Sequence, residues 1–240
     1  MTNKFDSSYL NYSKHILSSV LLLTPFIFIY EIISFFKFYN EDYIIRNSAD
    51  AILRDFFSFF TNINYYSFVL ILFILFVFIN YKSYLKDYNI NLTYYLLMII
   101  ESFLYSLLLI IMLNGIDFLF ITPELKYSDI ILGFYLCLGA GIWEEVLFRF
   151  ILISILFKIF EYFIISSNFK FLIIVIISAF AFSLFHYIGN NPDVFSINSF
   201  FIRFIGGFVL GYIYIFRGLG IVALMHFFYD FIIVLILPFY

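Results

Sequence analysis

Seven strongly apolar runs, at 16–36, 64–81, 93–114, 130–160, 169–188, 197–216 and 219–238, recur along this chain of 240 residues. A helix rises about 1.5 Å per residue, so about 20 residues cross a hydrocarbon layer about 30 Å thick. Backbone N–H and C=O groups in lipid must be satisfied within the segment, and the runs lack the strict alternation of a barrel strand. The expected fold class is therefore all-α, a polytopic transmembrane helix bundle of about seven spans. Composition supports this. Charged residues make up 12% of the chain and hydrophobic ones 65%, whereas a soluble domain carries about 25% charged residues to cover its surface. Mean hydropathy of +1.05 excludes a disordered chain. The net charge is -3 and no Lys/Arg cluster occurs, so nucleic acid is excluded as a partner and the lipid bilayer takes its place.

The connections are sparse. Residues 37–63 are charge-rich and read as a loop with an amphipathic surface helix around 51–60. Residues 115–129, broken by Pro123, read as a surface connection. The run at 130–160 is longer than one span, and Gly139 and Gly141 offer a bend in it. Residues 16–36 follow a weakly basic start without a small-residue cleavage site, so they read as the first span. Cys137, the single cysteine, reads as a small packed hydrophobe. With no repeat or linker, one integrated membrane domain is expected: N-terminal helices and the surface segment at 1–129, and a helical core at 130–240. Seven spans place Lys4, Lys14, Lys82, Lys86, Lys158, Lys170 and Arg217 on the N-terminal side and Lys37, Arg46, Arg54 and Lys126 on the other. That bias favours a cytoplasmic N-terminus. The excess of Phe, Tyr, Ile and Asn fits an AT-rich genome and hence a bacterial cytoplasmic membrane.

An ionisable side chain at mid-membrane costs roughly 2.5–3.5 kcal/mol on insertion scales, so such residues face a cavity and mark function. Three clusters stand out. GAGIWEEVLFRFILISIL places Glu144, Glu145 and Arg149 between apolar runs. Glu145 and Arg149 are four apart on one helix face, with Glu144 about 100° away. One glutamate can thus pair with the arginine and leave the other as a general base or proton carrier. FSLFHY places His186 late in the fifth run, and HFFYD places His226 and Asp230 one turn apart in the last. The His226/Asp230 spacing suits a shared ion or water, and equally a buried hydrogen bond that fixes a tautomer. Glu31 and Glu101 also interrupt apolar runs, as partners for Arg149 or as a polar entrance. Arg203 and Arg217 lie near span ends and are expected to snorkel.

Read together, these clusters resemble the CPBP (CAAX protease and bacteriocin-processing, or Abi) intramembrane proteases. That family's pattern is EExxxR, then FxxxH, then HxxxN or HxxxD. Here the pattern reads Glu144, Glu145 and Arg149, then Phe182 and His186, then His226 and Asp230, and it covers roughly 130–235. The resemblance implies peptide-bond hydrolysis in the membrane, on a membrane-associated peptide or protein substrate. Glu144 would activate water, and His186 would hold that water directly or through a divalent metal such as Zn. His226 and Asp230 would stabilise the oxyanion or complete a metal set of Glu144, His186, His226 and Asp230, while Glu145 and Arg149 would orient Glu144. A metal-free glutamate mechanism stands beside the metal one.

Two departures bear on this reading. Asp230 stands where the family commonly has Asn, whose amide can donate to an oxyanion; an ionised Asp would repel one, so protonation or metal ligation is expected. Phe150 follows the arginine where a small residue is common, which bears on helix packing there. Depth counting sets His186 and His226 about 15 Å apart along the membrane normal at 1.5 Å per residue, a gap to be closed by tilt or by a last helix that begins inside the bilayer. An inactive membrane immunity or partner protein and a proton-coupled transporter are the alternative readings. The transporter lacks support from inverted repeats.

Overall fold

A computed structural model describes residues 8–38, 45–60, 89–117, 130–163, 166–188 and 192–236. They form helices only: α1 (Tyr9–Lys14), α2 (Ile16–Phe38), α3 (Ser48–Phe60), α4 (Leu92–Asp117), α5 (Ile130–Gly139), α6 (Ser154–Phe160), α7 (Ser167–Phe185), α8 (Ile197–Arg217) and α9 (Leu219–Phe231). Between α5 and α6 the helix continues through two wider π-helical stretches, Ala140–Glu144 and Val146–Ile153, and a third π turn, Ile232–Ile236, follows α9. Four helices, Ile16–Phe38, Leu92–Leu113, Ser167–Phe185 and Ile197–Arg217, are long and apolar enough to cross a membrane. These coincide with the expected runs at 16–36, 93–114, 169–188 and 197–216. The expected run at 64–81 lies outside the described residues, as does the connection expected at 115–129 apart from residues 115–117, which continue α4.

The last helix is the centre of the bundle. Leu219 through Phe227 are all buried, as in a helix apolar all round. It packs against α2, α4, α5, α8 and the first π stretch. Lipid tails are as apolar as leucine, so close contact and polar links hold such helices together. Gly218 supplies the corner into α9 at φ 84°, and a Cβ there would lie 2.9 Å from Lys14 Cα of α1. The Gly220 N–H, one of the donors that a helix start leaves unpaired, donates to Ser19 Oγ of α2 at 2.9 Å. The last helix therefore begins inside the protein, under α1 and α2. His186 and His226 come together, both within ring contact of Phe182.

Arg217, at the same corner, does not snorkel. It is buried and donates from Nε and Nη2 to Glu101 of α4 at 2.5 and 2.7 Å. The Tyr9 hydroxyl also donates to Glu101, and burial together with the Glu101 charge pushes the Tyr9 pKa up, keeping it a donor. Glu101 thus ties α1, α4 and α8 together and does not pair with Arg149. Arg203 is half-buried and pairs with Asp193 at 2.5 Å.

The amphipathic helix expected around 51–60 starts three residues earlier, as α3, and its polar face turns inward. Asp50 and Arg54 are buried, while Ile52, Phe56 and Phe59 face outward. Glu31 explains the inversion. It lies in the apolar α2, and Arg46 and Arg54 supply its counter-charges at 3.0 and 2.5 Å. Asp50 joins the same cluster through Arg46 and Arg54. Glu31, like Glu101, is therefore occupied away from Arg149.

Candidate active site

The motif helix is shaped by small residues. Gly139 has φ -61° and ψ -46°, and both glycines admit close neighbours. A Cβ on Gly139 would meet Asn47 Cβ at 2.8 Å and Tyr30 at 2.9 Å. One on Gly141 would meet the α9 backbone, with Phe227 N at 2.7 Å and the Ala223 carbonyl at 2.8 Å. From Ala140 onward, Gly141 included, the helix widens to π geometry, a local form often found at functional sites.

Glu144 and Glu145 take different partners, as their angular offset predicts. Glu145 is fully buried and faces Arg149 Nη1 at 2.9 Å and His226 Nδ1 at 2.7 Å. Arg149 is itself fully buried, donates from Nη2 to the Gly207 carbonyl at 3.2 Å, and stacks its guanidinium over the Phe182 ring at 4.4 Å. Glu144 accepts from Asn47 Nδ2 at 2.8 Å on Oε1. Its Oε2 is buried, has no hydrogen-bond partner among the described residues, and faces His186 Nε2 at 4.0 Å.

The two histidines have defined orientations. The His186 ring sits with Nδ1 2.9 Å from the Phe182 carbonyl. Only a protonated Nδ1 makes that bond, so in the neutral ring the Nε2 lone pair points toward Glu144. His226 donates from Nδ1 to Glu145, and its Nε2 lies 3.5 Å from Asp230 Oδ2. The Phe182 ring touches both imidazoles edge-on, at 5.0 Å from His186 and 5.8 Å from His226. The side chains of His186 and Asp230 are each 24% exposed and that of Glu144 only 7%, so the site opens past His186 and Asp230 and ends at Glu144.

All six residues singled out from the sequence are thus brought together, in two linked groups. Asp230 lies beside His226, with Oδ2 3.5 Å from Nε2. Phe150 faces outward, 41% exposed, so no close packing is required of it. A catalytic zinc takes three protein ligands and a water. Among the described residues, no three His, Cys, Asp or Glu side chains converge to hold an ion. Glu145 Oε1 faces Arg149 and His226, Asp230 lies beside His226, and Glu144 and His186 face each other. Among the described residues the set does not fit a three-ligand zinc shell.

Phe182, which the FxxxH motif names but which one Phe among 38 would not signal alone, supports Arg149 and both histidines, and one further contributor was hidden in the sequence. Asn47 lies 97 residues before Glu144, is uncharged, and sits in a polar loop; the one available hint was its place just before an amphipathic helix.

With this geometry in place, the comparisons with known proteins can be stated. Residues 126–232 match the family model described as Type II CAAX prenyl endopeptidase Rce1-like, and this segment holds all six residues. No curated protein and no solved structure matches the chain.

Proposed function

Residues 126–232 form an Rce1-like domain of the CAAX protease family, and from that premise we propose that the protein is an intramembrane endopeptidase. It would hydrolyse a peptide bond of a membrane-associated peptide or protein with a glutamate-activated water. The observation that carries this reading is the facing pair Glu144 Oε2 and His186 Nε2 at 4.0 Å. That separation is too long for a hydrogen bond, yet one water at about 2.8 Å from each atom fits between them. Such a water donates one hydrogen to Glu144 and one to His186, which turns its lone pairs outward to a substrate carbonyl.

Each remaining group has a chemical place. As water oxygen attacks the carbonyl carbon, its proton passes to Glu144, which later delivers it to the departing amide nitrogen as the C–N bond breaks. His226 in its doubly protonated form keeps Nδ1–H on Glu145 and offers Nε2–H to the oxyanion. Asp230 balances that charge from 3.5 Å. Arg149 fixes Glu145, and through it the His226 ring, as a positioning residue. The Glu144 carboxylate sits at the buried end of an apolar site, where water other than the reacting one is scarce.

The reading is tested with the purified protein in proteoliposomes, given a prenylated CAAX-type peptide and the same peptide without its prenyl group, in heavy-oxygen water. Cleavage of at least one peptide is expected, with one heavy oxygen in the new carboxylate and with the rate lost in His186→Ala. Failure to cut either peptide, or wild-type cleavage by His186→Ala, would contradict it.

A further inference from the structure

We infer that Asn47, far outside the family-matched segment, is a positioning residue that holds the Glu144 carboxylate in its working orientation. The inference rests on the endopeptidase reading above and adds to it a residue from the N-terminal half of the chain.

Asn47 performs two tasks with the two ends of one amide. Its Oδ1 accepts from the Ala49 N–H at 2.9 Å, capping the start of α3. Its Nδ2 donates to Glu144 Oε1 at 2.8 Å. The cap fixes which end is which, since a flipped amide would set N–H against N–H at Ala49. The amide therefore occupies Oε1 with a donor and leaves Oε2, the oxygen facing His186, as the free base.

The surroundings hold Asn47 from several sides. The Asn47 N–H donates to the Tyr30 hydroxyl at 3.4 Å, and the Ile45 carbonyl accepts from the Tyr135 hydroxyl at 2.9 Å. Tyr30 and Tyr135 stack at 4.4 Å between centroids. On the α3 side, Asp50 receives Tyr30, Arg46 and Arg54, and the Arg54 guanidinium lies over the ring of Trp143, next to Glu144. Gly139 supplies the room: its missing Cβ would sit 2.8 Å from Asn47 Cβ. The inward charges of α3 thus have a use beyond neutralising Glu31. They press the first turn of α3, and Asn47 with it, onto the motif helix.

The double task permits a test that separates folding from positioning. Asn47→Ser and Asn47→Asp both keep an oxygen that can cap α3, but neither offers an N–H to Glu144, and the aspartate sets a like charge against it. Loss of a group that orients a reacting one costs about 10- to 100-fold in rate. With the peptide that wild type cleaves, kcat is expected to fall by that factor in Asn47→Ser while KM and the melting temperature stay at wild-type values, and to fall further in Asn47→Asp, where the like charge also lowers the melting temperature. Wild-type kcat in Asn47→Ser, or kcat that falls there only in step with melting temperature, would overturn the positioning role. Glu144→Gln is run alongside: if it cleaves normally, the endopeptidase reading fails, whereas its inactivity beside a fully active Asn47→Ser sinks this inference alone. If wild type cuts neither peptide, both fall.

Discussion

Asp230 is the residue at which this chain departs from the common pattern of the family it resembles. Its Oδ2 lies 3.5 Å from His226 Nε2, while Glu145 holds the other nitrogen at 2.7 Å. With two carboxylates on one imidazole, the family's amide can replace Asp230 without stranding His226. Asp230→Asn is expected to keep kcat within about tenfold of wild type, because the amide can donate to the oxyanion, whereas Asp230→Ala is expected to lose about 100-fold; steady-state cleavage rates check both. A cation entering the site meets Glu144 and His186, short of a three-ligand shell. Dialysis against a strong chelator is accordingly expected to leave the cleavage rate unchanged, and loss of activity restored by added zinc would reverse that expectation. At this scale the sequence was most informative about charge. Glu144, Glu145, Arg149, His186, His226 and Asp230 were legible because an apolar span makes each conspicuous. Phe182 was legible only through the FxxxH motif, as one aromatic among many, and Asn47 was not legible, because an uncharged amide in a polar loop stands out from nothing.

Among the elements, the motif helix and α9 decide the site, and their closeness depends on Gly141. A methyl group there would lie 2.6 Å from Phe227 Cβ and 2.8 Å from the Ala223 carbonyl. Gly141→Ala is expected to destabilise the protein by at least about 2 kcal/mol, as overpacking does, and to lower cleavage with it. Gly206→Ala is the control, since its Cβ would meet only Leu113 Cδ1, at 3.5 Å; thermal unfolding in detergent compares the two. Hydropathy located the long helices well, since length and apolarity are what a bilayer demands. It missed that α9 starts inside the protein, because that depends on Gly218, Ser19 and α1 meeting across the chain. It also could not tell which way α3 turns its polar face, which the buried Glu31 decides.

For the molecule as a whole, two polar clusters hold the N-terminal helices in place. Glu101 with Arg217 and Tyr9 anchors the corner where α9 begins, and Glu31 with Arg46, Arg54 and Asp50 ties α3 to α2, with Arg54 over the ring of Trp143. Glu101→Gln leaves the Arg217 charge buried without a carboxylate, and breaking such a pair costs about 3 kcal/mol; a lower melting temperature in detergent is expected, and an unchanged one would contradict the anchoring role. The central claim is that Glu144 is the base of a membrane-embedded endopeptidase. The most direct measurement is cleavage of the same peptide, in the same proteoliposomes, by wild type and Glu144→Gln. The substitution keeps size and the fold but removes the base. The account predicts cleavage by wild type and none above background by the folded variant; a variant that cleaves at the wild-type rate would contradict it.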